Sequence, residues 1–112
     1  MEESITIIGT TNGIDFSSPQ RYYQGIFEQI KQKEFTQFPD INNIDSFIEI
    51  LQVSNGHILF SPGYIHKKIK KEIQNNTYIR SLISDRNLKI GFIKIDGTKA
   101  IKPVIRFSAK AA

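Results

Sequence analysis

The sequence predicts an α+β fold with three main helices and a C-terminal β-hairpin. In three separate segments, apolar residues recur at intervals of three and four positions, which is the spacing of an amphipathic helix. Ser18 and Ser61 each precede a proline and one of these segments, and this pair favours a helix start because proline fits the first helical position. Two strand-like stretches flank Asp96 and Gly97, residues that suit a tight hairpin turn. We expect the 112 residues to form a single domain.

The N-terminal half is predicted to contain one strand and two helices. The β-branched run Ile5–Ile8 ends at Gly9 and a polar turn follows, so residues 4–8 are predicted to form a strand. An apolar stripe that begins at Tyr22 places the first helix at residues 19–34. A polar break ends that pattern, and a second apolar stripe places the next helix at residues 44–53.

The C-terminal half is predicted to contain a basic helix, a further helical segment and the hairpin. Residues 57–60 are interpreted as a short extended piece. The third helix is placed at residues 63–75, because its isoleucines fall in one line at intervals of four. One or two further helical turns are predicted at residues 78–84. The hairpin strands are placed at residues 88–95 and 100–107.

Charge is divided unequally between the two halves of the chain. Residues 1–56 hold three Lys/Arg against eight Asp/Glu, a balance of minus five, whereas residues 57–112 hold twelve against three, a balance of plus nine. A fold that gathers these cations on one face produces a field that a phosphate backbone can neutralise. The asymmetry therefore favours a polyanionic partner such as nucleic acid, and an ordinary solvated surface is the plain alternative.

The predicted interface combines the basic helix with the hairpin. Lysines act mainly as point charges, so they predict affinity and salt dependence rather than sequence recognition. Base contacts need Arg, Asn or Gln, and Gln74 and Arg80 are among the nearest candidates. The predicted nucleic-acid-binding residues are His66, Lys67, Lys70, Lys71, Gln74, Arg80, Lys94, Lys99, Lys102 and Arg106.

Over about residues 19–107, the order of these elements resembles the winged helix-turn-helix family of DNA-binding domains. The resemblance is carried by the Lys-rich segment Tyr64–Ile73, in the place of the recognition helix, and by Leu88–Phe107, in the place of the wing. It implies a helix in the major groove and a hairpin tip that touches the backbone or the minor groove. The alternative is a small mixed sheet with helices on one face, because residues 54–63 form a longer connection than that family's turn.

No residue pattern indicates catalysis, a metal site or a cofactor. The chain has no cysteine, which excludes disulfides and thiolate ligands. His57 and His66 lack the spacing of a zinc motif, and the Gly9–Gly13 loop lacks the Gly-Lys-Ser/Thr ending of a phosphate loop. Asp40 and Glu49 lack the partner lysine of a nuclease site. We therefore expect a non-enzymatic protein without metal or cofactor.

These observations predict a small DNA-binding protein whose partner is double-stranded DNA, with an accessory or regulatory role in a mobile element or a virus. The alternative is a protein-interaction module, such as an inhibitor, adaptor or structural subunit, whose oppositely charged faces would form a head-to-tail homo-oligomer. The acidic N-terminus and the absence of a long apolar stretch favour a cytoplasmic location without membrane contact.

Overall fold

A computed structural model shows a five-stranded sheet with helices on both of its faces. The structure describes residues 4–11, 14, 24–41, 43–61, 67–96 and 102–107, and for residues 24, 94–96 and 102–107 it describes the backbone alone. In chain order the elements are β1 (Ser4–Ile8), α1 (Gln24–Lys31), β2 (Thr36–Phe38), α2 (Ile44–Val53), β3 (Gly56–Phe60), α3 (Lys67–Asn75), α4 (Thr77–Asp85), β4 (Lys89–Asp96) and β5 (Lys102–Phe107).

The sheet has the strand order β2-β1-β3-β4-β5. β1, β2, β3 and β4 run parallel, and β5 is antiparallel to β4. Parallel neighbours need a long crossover between them, and helices lie in each of the connections between successive parallel strands. Strands that alternate with helices in this order form a doubly wound sheet, whose switch point lies between β1 and β3.

The sheet separates two apolar cores, because neighbouring residues of a strand point to opposite faces. On one face, Phe27 and Ile30 of α1 pack with Ile5 and Ile7 of β1. On the other face, α2, α3 and α4 pack in a larger cluster that includes Ile8. Burial on both faces explains why β1 and β3 are almost continuously apolar rather than alternating.

Phe60, the last residue of β3, is the aromatic centre of the larger core. Its ring lies 5.6 Å from that of Phe92 on β4 and 6.0 Å from that of Phe47 on α2, measured between centroids. Phe60 is 1% exposed. Its ring therefore contributes to a buried contact that joins two strands and a helix. Ile69 and Ile73 of α3 belong to the same apolar cluster.

Several predicted elements are confirmed. The strand at residues 4–8 is β1, the helix at residues 44–53 is α2, and the extended piece at residues 57–60 lies within β3. The helical turns predicted at residues 78–84 lie within α4. Each of these segments combines a regular apolar pattern with turn or capping residues at its ends, so the local signals agree with one another.

α1 and α3 correspond to the first and third predicted helices. The structure describes them from Gln24 and Lys67 onward, and their predicted starts lie outside the described residues. α1 ends at Lys31, three residues earlier than predicted, because Lys33 adopts a positive φ of 62°. The backbone N–H groups of Lys33 and Glu34 then bond to last-turn carbonyls and close the helix.

β2 is a strand that the sequence does not predict. It is a three-residue element whose side chains are exposed or half-buried, so it shows no apolar alternation. Its ladder with β1 is extended by a tertiary bond, from the backbone N–H of Gly9 to the Phe38 carbonyl at 2.8 Å. A strand that depends on its neighbour in this way has no signal in the local sequence.

The winged arrangement is not confirmed. β4 and β5 are antiparallel neighbours, but β4 also pairs with β3 in parallel, so these strands belong to the main sheet and do not form a separate C-terminal hairpin. The combination of helices with a small mixed sheet is confirmed, whereas the expectation of helices on one face is wrong because α1 covers the other. Gly97, in the predicted turn, lies outside the described residues.

Candidate nucleic-acid interface

α3 presents a group of exposed lysines from a helix that the core holds in place. Ile69 and Ile73 are 2% and 8% exposed, and both lie in the apolar cluster that α3 shares with α2 and α4. Packing of this kind fixes the rotation of the helix, so its remaining surface faces outward. The exposed cations on that surface, which we call the α3 lysines, are Lys67, Lys68, Lys70 and Lys71.

The α3 lysines surround the exposed half of the helix. At about 100° of rotation per residue, Lys67 and Lys71 lie opposite the two buried isoleucines. Lys68 and Lys70 lie on the two flanks. The result is a convex, cationic surface rather than a pocket, which suits an extended anion better than a small ligand.

No acidic side chain among the described residues forms an ion pair with an α3 lysine. The ion pair found there joins Lys31 Nζ to Glu28 Oε1 at 3.7 Å, and both residues belong to α1 on the opposite face of the sheet. Within α3 several neighbouring charges are alike, because Lys67 lies three residues from Lys70 and four from Lys71, although Lys68 lies four residues from Glu72. Like charges at these spacings destabilise a helix by about 0.2–0.5 kcal/mol per pair.

Glu72, the acidic residue of α3, is used in the junction with α4. Its Oε2 accepts a hydrogen bond from Asn76 Nδ2 at 2.6 Å. Asn76 is the N-cap of α4, and its Oδ1 accepts a hydrogen bond from the Ile79 backbone N–H at 3.0 Å. The carboxylate therefore fastens one helix to the next instead of neutralising the lysines beside it.

The structure brings the two predicted base-reading residues together. Gln74 is exposed near the C-terminal end of α3, and Arg80 on α4 is half-buried. Arg80 Nη1 donates a long hydrogen bond of 3.4 Å to the Gln74 backbone carbonyl. A guanidinium at a helix C-terminus is favourable with the helix dipole, so Arg80 also has a structural role.

The predicted residues of the C-terminal strands lie on neighbouring strands at one edge of the sheet. In the ladder between β4 and β5, Lys94 is opposite Val104, Lys102 is opposite Asp96, and Arg106 is opposite Phe92. These are backbone positions. His66 and Lys99, which were also predicted to bind, lie outside the described residues.

Lys68 is the cation that the predicted set omits. It is exposed on α3, on one flank of the surface whose centre is Lys67 and Lys71. The sequence contains the necessary signal, because Lys68 precedes the buried Ile69 directly and so lies on a flank of the helix rather than in the core. The candidate interface therefore includes all four α3 lysines.

The carboxyl edge of the sheet is the usual ligand site of doubly wound proteins, so its geometry matters. At the switch point, the Ser61 backbone N–H donates to the Ile8 carbonyl at 2.9 Å, and Ser61 Oγ donates to the Thr10 carbonyl at 2.5 Å. These bonds hold the ends of β1 and β3 together. A cavity of about 340 Å³ lies beside β1, and the described residues that line it, Gly9, Thr10, Gln37 and Pro39, carry no charge.

Two other kinds of site find no support in the part of the chain that the structure describes. Within it, no group of three or more histidine, aspartate or glutamate side chains is placed to hold a metal ion. None of its helices has both the length and the apolar character needed to cross a membrane. The α3 lysines, four exposed cations on one helix, are the candidate site that we consider.

Comparisons with protein-family models, with curated proteins and with solved structures gave no match to this chain. Its function is therefore inferred from geometry and charge.

Proposed function

We propose that this protein binds double-stranded DNA through the phosphate backbone, with α3 as its main contact. The observation that carries the proposal is that four exposed lysines share one helix while no described acidic side chain pairs with them. A helix pinned to the core by Ile69 and Ile73 holds these ammonium groups in a fixed pattern. Such a pattern releases counterions from DNA on binding, which is the main source of sequence-independent affinity.

Helix stability alone does not explain where these charges lie. Like charges three or four residues apart destabilise a helix, and three such lysine pairs lie in the described part of α3. A bound polyanion would offset that cost, so a binding role accounts for an arrangement that folding disfavours.

Duplex DNA fits this surface better than a single strand does. Proteins that bind single strands stack the bases on exposed aromatic side chains. Among the described residues, Tyr78 on α4 is the exposed aromatic at 52%, and its hydroxyl accepts a hydrogen bond from Gln52 Nε2 at 3.2 Å. The exposed surface of α3 itself holds lysines, glutamine and asparagine, which contact phosphates rather than base faces.

The expected binding has high salt dependence and low sequence preference. Lysines supply point charges without the bidentate geometry that distinguishes one base from another. Gln74 and Arg80 are the described residues best placed to add base contacts, at the end of α3. Because Arg80 also interacts with the helix end, we expect it to contribute less recognition than a free arginine would.

The alternative of an interaction module with oppositely charged faces receives less support from the geometry. Asp45 and Glu49 are exposed on α2, and α2 packs beside α3 in the same layer. Acidic and basic side chains therefore share one side of the sheet instead of dividing between two faces. Salt-sensitive self-association, measured by size-exclusion chromatography without nucleic acid, would favour that alternative.

The proposal is tested by fluorescence anisotropy with a labelled random-sequence duplex at low and at moderate ionic strength. We expect the wild type to bind at low salt and to weaken steeply as salt rises. Replacing Lys67, Lys70 and Lys71 with Glu should abolish binding, because each change replaces attraction with repulsion. The double substitution Lys31→Glu and Lys33→Glu, on the far side of the sheet, is the control and should retain binding. Full affinity in the triple variant would contradict the proposal.

A further inference from the structure

α2 carries two carboxylates on its outer surface, which we call the acidic row. Asp45 and Glu49 are exposed and lie four residues apart, so they are neighbours along one line of the helix. At about 100° of rotation per residue, this line lies opposite the buried side of α2, which includes Phe47 and Leu51. No basic side chain in the described part of the chain forms an ion pair with either carboxylate. The acidic row therefore projects negative charge away from the sheet.

α2 and α3 lie side by side and run in the same direction. Each follows a parallel strand, so each begins at the carboxyl edge of the sheet. Their ends are also close together, because Gln52 Nε2 near the end of α2 donates to the hydroxyl of Tyr78, three residues after α3. The two helices contact each other, and packed helices have axes about 8–10 Å apart. The acidic row is therefore a close neighbour of the α3 lysines.

The acidic row and the outermost lysines of α3 lie at matching heights. Asp45 is eight residues before the last residue of α2, and Lys67 is eight residues before the last residue of α3. Glu49 and Lys71 are each four residues before those same ends. All four lie opposite the buried sides of their helices, so they point away from the sheet on the same side. A polyanion that contacts Lys67 and Lys71 therefore passes within about one helix spacing of the acidic row.

The two flanks of α3 differ in their electrostatic surroundings. Lys68 and Glu72 are four residues apart and share one flank, whereas Lys70 and Gln74 share the other. Crossovers between parallel strands are right-handed, and this hand places the Lys68 flank on the side of α2. Lys68 thus lies between two sources of negative charge, Glu72 and the acidic row. The neighbour of Lys70 along its flank is a neutral amide.

We propose that duplex DNA binds against Lys67, Lys70 and Lys71, and that the acidic row keeps it off the Lys68 flank. The inference rests on the proposed function, and it adds the side on which the duplex lies and the residues that position it. Like charges brought together across an interface oppose binding, so they restrict a partner to arrangements that avoid them. At about 0.1 M salt the screening length is about 10 Å, similar to the helix spacing, so the acidic row acts on phosphates beside α3. The two carboxylates are thus positioning residues, which lower the affinity while they orient the duplex.

The two flanks are compared with Lys68→Gln and Lys70→Gln, which remove the same charge from the same helix. Affinity is measured by fluorescence anisotropy with a labelled duplex at low salt. We expect Lys70→Gln to weaken binding by about threefold or more, and Lys68→Gln by less than about twofold. Equal losses, or a larger loss for Lys68→Gln, would overturn the inference while the proposed function stands.

The acidic row is removed with Asp45→Asn and Glu49→Gln. We expect this double variant to bind the duplex about threefold to tenfold more tightly at low salt, and the gain should shrink as salt screens the repulsion. In this background Lys68→Gln should cost as much affinity as Lys70→Gln, because the duplex can then contact both flanks. A purely structural effect of the α2 substitutions would not make the two flanks equal.

Two control variants separate the position of the carboxylates from the net charge. Glu28→Gln with Glu34→Gln removes two exposed carboxylates on the α1 side of the sheet and should raise the affinity by less than about twofold. Asp45→Glu with Glu49→Asp keeps the charge of the acidic row and should bind like the wild type. Equal tightening after loss of the α1-side carboxylates and of the acidic row would overturn the inference alone. A wild type that does not bind duplex DNA would overturn both the inference and the proposed function.

Discussion

At the scale of single residues, Gly9 and Gly25 differ in whether their backbone conformation requires glycine. Gly9 follows β1 with a φ of 114°, a conformation that residues with a Cβ atom rarely adopt. Gly25 lies in α1, and a Cβ atom added there would meet nothing within 4 Å. The first position therefore requires glycine, and the second does not.

Alanine substitutions at these two glycines should have opposite effects on stability. Gly9→Ala should lower the free energy of unfolding by about 1–3 kcal/mol, because alanine would be strained at that φ. Gly25→Ala should raise it by up to about 1 kcal/mol, through better helix propensity. Urea unfolding followed by circular dichroism measures both. Stabilisation by Gly9→Ala would show that the positive φ is not required.

At the scale of elements, the lysines of α3 should oppose folding while they support binding. Replacing Lys67 and Lys71 with Gln removes the like-charge pairs that Lys67 makes with Lys70 and Lys71, and also the Lys68/Lys71 pair. We expect the free energy of unfolding to rise by about 0.5–1 kcal/mol at low salt, since glutamine has a similar helix propensity. Chemical denaturation without DNA gives the value.

The control for the expected gain in stability is Lys31→Gln, at the end of α1, combined with Lys33→Gln, two residues after that helix. Lys31 pairs with Glu28, so its loss should leave stability unchanged or slightly lower. The predicted gain for the α3 variant should also shrink at high salt, because screening weakens the repulsion that the substitutions remove. Equal losses of stability in both variants would mean that the α3 lysines do not repel one another measurably.

Local sequence signals predict a helix or strand correctly where the apolar period, the capping residues and the turn residues agree. They fail where an element forms only because it pairs with a strand distant in the sequence. Both ends of α2 were predicted to the residue. Its apolar stripe follows a polar segment that includes the N-cap Asn43, and Asn55 marks the end of the helical pattern. β2 was not predictable, since its three residues have no periodicity and depend on pairing with β1. The end of α1 was placed too late because nothing in the sequence near Lys33 signals a positive φ.

At the scale of the whole molecule, the sequence predicts the elements far better than their arrangement. Residues 57–60 were predicted to be a short extended piece in the connection between two helices, yet residues 58–60 lie in β3, at the centre of the sheet and with a parallel strand on each side. A short apolar run indicates a buried strand but does not show which strands pair with it. The parallel strand order therefore could not be predicted from the sequence. The candidate site was easier to predict from the sequence, because the exposure of the α3 lysines follows from the helical period that buries Ile69 and Ile73.

The most direct test of the account is the salt dependence of duplex binding for three proteins: the wild type, Lys67→Gln with Lys71→Gln, and Lys31→Gln with Lys33→Gln. The two variants lose the same charge, and only the first loses it on α3. Each phosphate contact adds about 0.9 to the magnitude of the slope of log K against log salt concentration. We predict that the α3 variant loses about 2 from that slope and the α1 variant keeps the wild-type value. Equal slopes for all three proteins, or equal losses in both variants, would contradict α3 as the DNA contact.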